Sequence, residues 1–153
     1  MFQIQPLSAG KFSHLYGQSD DDLKAQGILA EVADAPGFPC RVKLRDARAG
    51  ERVLLLNYMH QAADTPFRAS HAIYVIDGAE EIHLKPGELP PVFTGRILSL
   101  RAFGNDGLLK TADLCDGEKS GEMINAMLGR DDVRYVHIHY AKYGCYAAVA
   151  RRI

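Results

Sequence analysis

The sequence predicts an α+β fold with a mainly antiparallel, curled sheet and a few helices near the chain ends. Short apolar or alternating segments, each bounded by turn residues, recur through most of the chain. Helical spacing of apolar residues occurs only near the two ends. The regular strand-helix alternation of a doubly wound parallel sheet is missing. The 153 residues, 47% of them apolar and 24% charged, predict a single domain over 1–153.

The first element is expected to be a helix that begins at Ser8 and ends at Gly17. Phe12, Leu15 and Tyr16 would lie on one face of it, and glycine is a common residue at helix ends. A second, short helix is expected over 20–26. Its three aspartates suit the positive end of a helix, which is a simpler explanation for them than a cation site.

Strands are expected through the rest of the chain, because short apolar or alternating runs are separated by Gly, Pro, Asn and Asp. The segment 53–58 is the strongest of these and reads as buried on both faces. A helix over 123–128 is expected from the spacing of its apolar residues and ends at Gly129. The expected strands are 28–32, 40–44, 53–58, 72–76, 80–84, 96–103, 108–114, 133–140 and 145–150.

The charge and composition exclude several classes of function. A net charge of −1 and the absence of tryptophan argue against binding of nucleic acid or an anionic membrane surface. The start of the chain lacks the basic and apolar regions of a signal peptide, and a cytoplasmic location is expected. Three cysteines without a C-x-x-C pair indicate neither a disulfide framework nor a zinc ribbon. The glycine-rich phosphate loops and the G-x-S-x-G elbow are also missing.

Two segments of the chain resemble the bacterial family catalogued as domain of unknown function 1203. The first contains Pro39-Cys40-Arg41, Leu44-Arg45-Asp46-Ala47, Gly50-Glu51, Leu54-Leu55-Leu56-Asn57-Tyr58, His60-Gln61 and Thr65-Pro66-Phe67-Arg68-Ala69-Ser70-His71. The second contains His137-Ile138-His139, Ala141-Lys142 and Gly144-Cys145-Tyr146-Ala147-Ala148. Tyr140 departs from the family pattern, which has Asn there. The resemblance supplies positions but no chemistry, because the family name carries no established activity.

His137 and His139 form the sharpest local feature of the sequence. Residues two apart on a strand point to the same face, so both imidazoles would share a face opposite Val136 and Ile138. If those two residues pack on the core, the imidazoles face solvent or a cleft. Two such histidines can chelate a transition metal, with His60, His71 or Cys145 as further ligands. The alternative is a pair of ordinary hydrogen-bonded histidines. No other cofactor is indicated.

Cys145 is the candidate nucleophile because it follows a glycine turn close to His139. A thiol needs a base or a positive field to form a thiolate near neutral pH, and His139, His137 or Arg41 can provide one. The alternative is a small buried residue without chemistry. The same two interpretations, a reactive thiol or a small buried residue, apply to Cys40, which lies in a stiffer loop beside the guanidinium of Arg41. A Cys40–Cys145 disulfide is disfavoured in the cytoplasm.

The segment 60–71 is expected to be a long ordered loop, because it has neither helical nor strand periodicity. It holds His60, Arg68 and His71. Arginine forks match carboxylate and phosphate oxygens, so Arg68 and Arg41 are candidates to bind an anion. Internal pairing with a nearby acidic residue is the alternative for Arg68, and for Arg45 pairing with Asp46 or Glu51.

These observations lead to two hypotheses. The first is a small enzyme or ligand-binding domain with one His/Arg/Cys-lined cleft for a small anionic molecule. His60 or His139 would be its base, Cys145 its nucleophile, and Cys40, Arg41, Arg68 and His71 its ligand-binding residues. The second is a non-catalytic domain that acts through protein contacts and whose polar side chains only satisfy its loops. The sequence does not decide whether the protein is an enzyme.

Overall fold

The strands of the protein form two antiparallel sheets. The computed structural model describes residues 1–153. One sheet has the order β1-β8-β7-β5-β6 and the other the order β2-β3-β4. The α+β class and the antiparallel pairing are therefore confirmed. The elements are β1 (Phe2–Gln5), α1 (Asp20–Ala25), β2 (Leu29–Val32), β3 (Arg52–Gln61), β4 (Ala69–Ile76), β5 (Ile97–Phe103), β6 (Leu109–Asp116), α2 (Ser120–Leu128), β7 (Tyr135–Tyr140) and β8 (Tyr146–Arg152).

The core of the five-stranded sheet lies between its central strands and α2. Val136 and Ile138 of β7 are fully buried there, together with Leu98 and Leu100 of β5 and Ile124 of α2. Because side chains alternate along a strand, the same burial turns His137 and His139 to the opposite face of the sheet.

The three-stranded sheet has a core of its own. Val53 and Leu54 of β3 pack there with Ile73 and Val75 of β4, all of them fully buried. Tyr146, the first residue of β8, belongs to this core although its strand belongs to the other sheet. Tyr146 therefore lies where the two sheets meet.

The N-terminal helices are shorter than the sequence suggested. The expected helix from Ser8 to Gly17 is wrong: the chain forms two 3₁₀ turns, Ala9–Lys11 and Ser13–Leu15. The acidic helix is confirmed as α1, and its N-cap Ser19 accepts a hydrogen bond from the Asp22 amide.

Two of the expected strands are not formed. At 40–44 the chain turns back on itself, because the Leu44 amide donates to the Cys40 carbonyl and Leu44 adopts a φ of 48°. The segment 80–84 has no regular structure. The strand β1 was missed, and it adds to the edge of β8.

The expected loop 60–71 is also wrong. Strand β3 continues to Gln61 and β4 begins at Ala69, so the connecting segment is only 62–68. The pairing shifts between Met59 and Gln61, which places His60 at a β-bulge. A bulge redirects side chains, and bulges are common next to functional sites.

Neither α-helix has the length and hydrophobicity that are needed to cross a membrane.

Candidate functional site

A cluster of four histidines lies where the two sheets meet. His60 and His71 come from β3 and β4 of the three-stranded sheet, and His137 and His139 come from β7 of the five-stranded sheet. His137 is 6% exposed and His139 is 1% exposed. The two imidazoles of β7 are therefore buried against the second sheet and do not face solvent.

Three of the four histidines come within ligand distance of one another. His60 Nε2 and His71 Nδ1 are 2.7 Å apart, and the two rings are stacked with centroids 4.8 Å apart. The His139 ring is edge-on to both. One ring nitrogen from each of these three side chains lies within 4.8 Å of the other two. His137 touches the His60 and His139 rings but lies outside this group.

The hydrogen bonds of His139 determine its tautomer. Its Nδ1 lies 2.9 Å from the Gly144 carbonyl, which can only accept, so Nδ1 carries the proton. The lone pair is therefore on Nε2, which is buried and has no partner. The Nδ1 atoms of His60 and His137 are also buried without a partner. Buried polar atoms in native proteins are nearly always paired, so these orphaned nitrogens need an explanation.

Burial keeps the cluster neutral near pH 7. It lowers the pKa of His60 to about 4, that of His137 to about 3 and that of His139 to about 2. The pKa of His71 is also lowered, first by burial and then by Arg101 and Arg41. Neutral imidazoles offer free lone pairs, which is the form that binds metals and accepts protons.

Arg101 brings a positive charge to the same face of the sheet. It pairs with His137 across β5 and β7, as Ser99 pairs with His139. Its Nε donates to the Ser99 hydroxyl, and it makes no ion pair with a carboxylate. Burial lowers the pKa of this guanidinium. Arg101 is therefore a half-buried cation without a counter-charge.

A cleft of about 1020 Å³ opens beside the histidine cluster. His71 lines it and so belongs to both features. None of the sixteen lining residues is an aspartate or a glutamate, while three are basic. The polar side chains that line it are Arg41, His71, Tyr74, Arg96, Tyr140, Lys142, Tyr143 and Cys145.

Arg41 forms the inner wall of the cleft. It is 1% exposed, and its Nε donates to the Tyr146 carbonyl at 2.7 Å. One Nη donates to the Pro39 carbonyl, and the other donates to the Cys145 sulfur at 3.1 Å. The side chain that contacts the Cys145 sulfur is thus the Arg41 guanidinium. The Nδ1 atom of His139 instead donates a hydrogen bond to the Gly144 carbonyl.

Tyr140 lies between two guanidinium groups in this wall. Arg41 and Arg96 lie 5.0 and 5.4 Å from its ring centroid. The hydroxyl is buried without a hydrogen-bond partner, and burial raises its pKa. Arg96 is also bound to Asp46 by two hydrogen bonds of 2.8 and 3.1 Å, so its charge is largely neutralised.

The remaining residues singled out by the sequence lie outside the cleft and the cluster. Arg68 is exposed and donates to the Ala62 carbonyl. Arg45 pairs with Glu51, which was one of the two internal partners expected for it. Cys40 is fully buried and accepts hydrogen bonds from the amides of Lys43 and Ile76. All three cysteines are free.

Sequence reasoning missed five of the polar residues that line the cleft, namely Tyr74, Arg96, Tyr140, Lys142 and Tyr143. A signal was present for two of them. Tyr140 is the position that departs from the expected family pattern, and Lys142 lies in the turn that leads to Cys145. Arg96 carried no such signal, because it stands just before β5 and reaches the cleft only through the packing of the sheets.

The fold and the site define an α+β protein in which two antiparallel sheets bury a histidine cluster beside a cationic cleft. The family model described as protein of unknown function (DUF1203) matches residues 37–152, so the chain belongs to that family. The matched range contains every residue of the cluster and of the cleft. Comparisons with curated proteins and with solved structures give no match.

Proposed function

We propose that the protein binds a small anionic molecule in the cleft. The observation that carries this proposal is the charge of the lining, which has three basic side chains and no carboxylate. A concave surface lined by one sign of charge focuses its field and raises the local concentration of counter-ions.

Arg41 and Lys142 supply the excess positive charge. Arg41 forms hydrogen bonds only to carbonyl oxygens and a sulfur, and Lys142 is exposed and makes no ion pair. A buried cation without a carboxylate is costly unless another anion compensates for it. A ligand carboxylate or phosphate at this wall would supply that compensation.

Cys145 is the candidate nucleophile if the bound molecule is turned over. Its sulfur lines the cleft and accepts a hydrogen bond from Arg41. An anion held by Arg41 would therefore lie next to a nucleophilic sulfur. His71 lines the same cleft and is a candidate to move a proton there.

Calorimetric titration of the protein with inorganic phosphate, acetate and succinate tests the binding proposal. Lys142→Glu reverses a charge of the cleft, and Lys85→Glu makes the same change at an exposed lysine outside it. We expect Lys142→Glu to raise the dissociation constant of the tightest of these anions roughly tenfold, as the loss of a charged contact does. Lys85→Glu should leave it nearly unchanged.

Equal anion affinities in the two variants would show that the anion does not bind in the cleft. Failure of all three anions to bind at about 10 mM, where even weak complexes form, would contradict the proposal as a whole. The non-catalytic domain with structural histidines and arginines would then be the better hypothesis.

A further inference from the structure

We propose that His60, His71 and His139 together bind one divalent transition-metal ion. This inference goes beyond the anion-binding proposal and is independent of it, because the three imidazoles need no ligand in the cleft to hold a metal.

The spacing of the three side chains fits a single ion. Two nitrogens bound to one tetrahedral metal at about 2.0–2.1 Å lie about 3.4 Å apart. The ring nitrogens of the three histidines lie within 4.8 Å of one another, so small side-chain rotations bring them to that spacing. His60 Nε2 and His71 Nδ1 share an N–H···N hydrogen bond of 2.7 Å, and a bound metal ion would replace that bond.

The hydrogen bonding of His139 matches that of a metal ligand. Metal-bound histidines commonly donate their second ring N–H to a carbonyl or a carboxylate, which orients the ring and fixes the tautomer. His139 donates Nδ1–H to the Gly144 carbonyl and leaves Nε2 buried and without a partner. A metal would give this orphaned nitrogen the partner that the protein does not provide.

The ligand type and the surroundings define the class of metal. Three neutral imidazoles suit Zn²⁺, Cu²⁺, Ni²⁺ or Fe²⁺, and do not suit Ca²⁺ or Mg²⁺, which prefer oxygen ligands. Three protein ligands leave a fourth position open, as in catalytic zinc sites. His71 is half-buried and lines the cleft, so an ion can enter from that side.

His137 provides an internal control, because it shares many features with His139. It lies on the same face of the same strand, is also buried, and also has an orphaned ring nitrogen. It does not, however, belong to the group within ligand distance. The proposal therefore requires that substitution of His139 and of His137 have different effects on metal binding.

Arg101 provides a second control, through its charge. The guanidinium opposes protonation of His60, His71 and His139. The same field opposes a metal cation bound to those rings. Removal of this charge should therefore tighten metal binding, whereas it would not affect an ion held elsewhere on the surface.

The experiment uses the 153-residue chain after treatment with EDTA. Titration with Zn²⁺ by calorimetry, and with Co²⁺ by visible absorption, should show one ion per chain and a tetrahedral Co²⁺ spectrum that Zn²⁺ abolishes. Binding of less than about 0.1 ion per chain would overturn the proposal, since a built site saturates at one.

Variants locate the bound ion. His71→Asn and His139→Asn should weaken Zn²⁺ binding at least about 100-fold, while His137→Asn should change it by less than about threefold. Arg101→Gln should tighten it several-fold. A urea unfolding curve checks that each variant folds, and the half-buried His71 serves if His139→Asn does not fold. Two results would place the metal away from these three histidines. The first is an equal loss of Zn²⁺ affinity in His137→Asn and His71→Asn, and the second is an unchanged Zn²⁺ affinity in Arg101→Gln.

The two proposals can fail separately. Anion binding is measured on the metal-free protein with Lys142→Glu, and metal binding is measured without the anion. Retention of Zn²⁺ binding alongside loss of anion binding would leave the metal site standing and remove only the function of the cleft.

Discussion

Arg41 carries a full positive charge into the interior at 1% exposure without a carboxylate beside it. Three of its five N–H donors are used, on the Tyr146 and Pro39 carbonyls and on the Cys145 sulfur. Through these contacts it joins the segment before β3 to Cys145 and Tyr146, where the β7–β8 turn ends and β8 begins. Arg41 is thus both a structural crosslink between distant segments and a basic residue of the cleft wall.

Arg41→Met should destabilise the protein by about 3 kcal/mol, because it leaves buried carbonyls without a donor. The measurement is urea unfolding of the variant and the wild type. Arg130→Met is the matched control: Arg130 pairs with Asp132 at the surface, with both side chains 48% exposed. Its loss should cost less than about 1 kcal/mol. Similar costs for the two substitutions would contradict the structural role of Arg41.

Cys145 should be the most reactive of the three thiols. Its sulfur lies 3.1 Å from an Nη of Arg41, whereas Cys40 is fully buried and the pKa of Cys115 is raised by burial and by Asp116 and Asp113. Iodoacetamide labelling at pH 7, followed by peptide mapping, should therefore modify Cys145 first. Arg41→Lys should slow this labelling, since a flexible ammonium group replaces the fixed fork.

The control for this labelling experiment is His139→Asn. His139 uses Nδ1 on the Gly144 carbonyl and directs Nε2 away into the histidine cluster. Its substitution should leave the labelling rate of Cys145 within about threefold of wild type, since it provides no base for the thiol. Slower labelling in His139→Asn than in Arg41→Lys would assign activation of the thiol to the imidazole.

At the scale of the elements, the turn that leads into α2 packs closely against the Phe93 backbone, and this packing requires a glycine at position 117. A Cβ placed on Gly117 would lie 1.8 Å from the Phe93 carbonyl oxygen, which is backbone and cannot move away alone. A Cβ placed on Gly121, inside α2, would lie 3.5 Å from the nearest atom of the Phe2 ring. Position 121 therefore has room for a methyl group and position 117 does not.

Gly117→Ala should consequently destabilise the protein by more than about 2 kcal/mol through overpacking. Gly121→Ala should stabilise it by about 0.5 kcal/mol, because alanine is the better helix former. Thermal unfolding of both variants is the measurement, and the two changes are matched in chemistry. Stabilisation by both substitutions would show that helix propensity, and not the contact with Phe93, governs this junction.

The elements that the sequence predicted well are those with a strong local signal. In β5 the buried residues Leu98, Leu100 and Ala102 alternate with less buried ones, and this period identifies a strand without knowledge of its partners. The four residues of β1 also alternate, with Phe2 and Ile4 buried, but so short a run becomes a strand only when β8 offers an edge.

The ends of the β3–β4 hairpin could not be predicted in this way. His60 and His71 belong to strands, yet polar side chains in this segment conceal the alternation that marks a strand. The bulge at His60 also breaks the period of two. These polar residues lie outside the core of their own sheet and contact the second sheet. Local sequence does not reveal that contact.

At the scale of the whole molecule, the site depends on how two sheets meet. The sequence identified His60, His71, His139, Arg41 and Cys145 as candidates from residue chemistry alone. It proposed His137 and His139 as a metal-binding pair with His60, His71 or Cys145 as further ligands, whereas the structure brings His139, His60 and His71 within ligand distance and leaves His137 outside the group. Contacts between residues so far apart in the chain depend on topology, and no local pattern encodes them.

The buried histidines make the stability of the whole molecule depend on pH. In the folded protein the pKa is about 3 for His137 and about 2 for His139, mainly because burial disfavours the charged form. In the unfolded chain both should titrate near the ordinary value of about 6.5. Below that pH the unfolded chain binds protons that the folded protein does not bind, so acid favours unfolding.

For the metal-free protein in EDTA, we therefore expect the free energy of unfolding to be greatest above about pH 6.5. It should fall by up to about 1.4 kcal/mol per pH unit for each of these two histidines as the pH drops from there toward 4. Urea unfolding at pH 7, 6 and 5 measures the slope. His137→Asn should remove the contribution of one proton from it. An unchanged slope in His137→Asn would show that this imidazole is already protonated in the folded protein or is exposed to solvent. In either case the histidine cluster would not be the neutral, buried site from which metal binding is inferred.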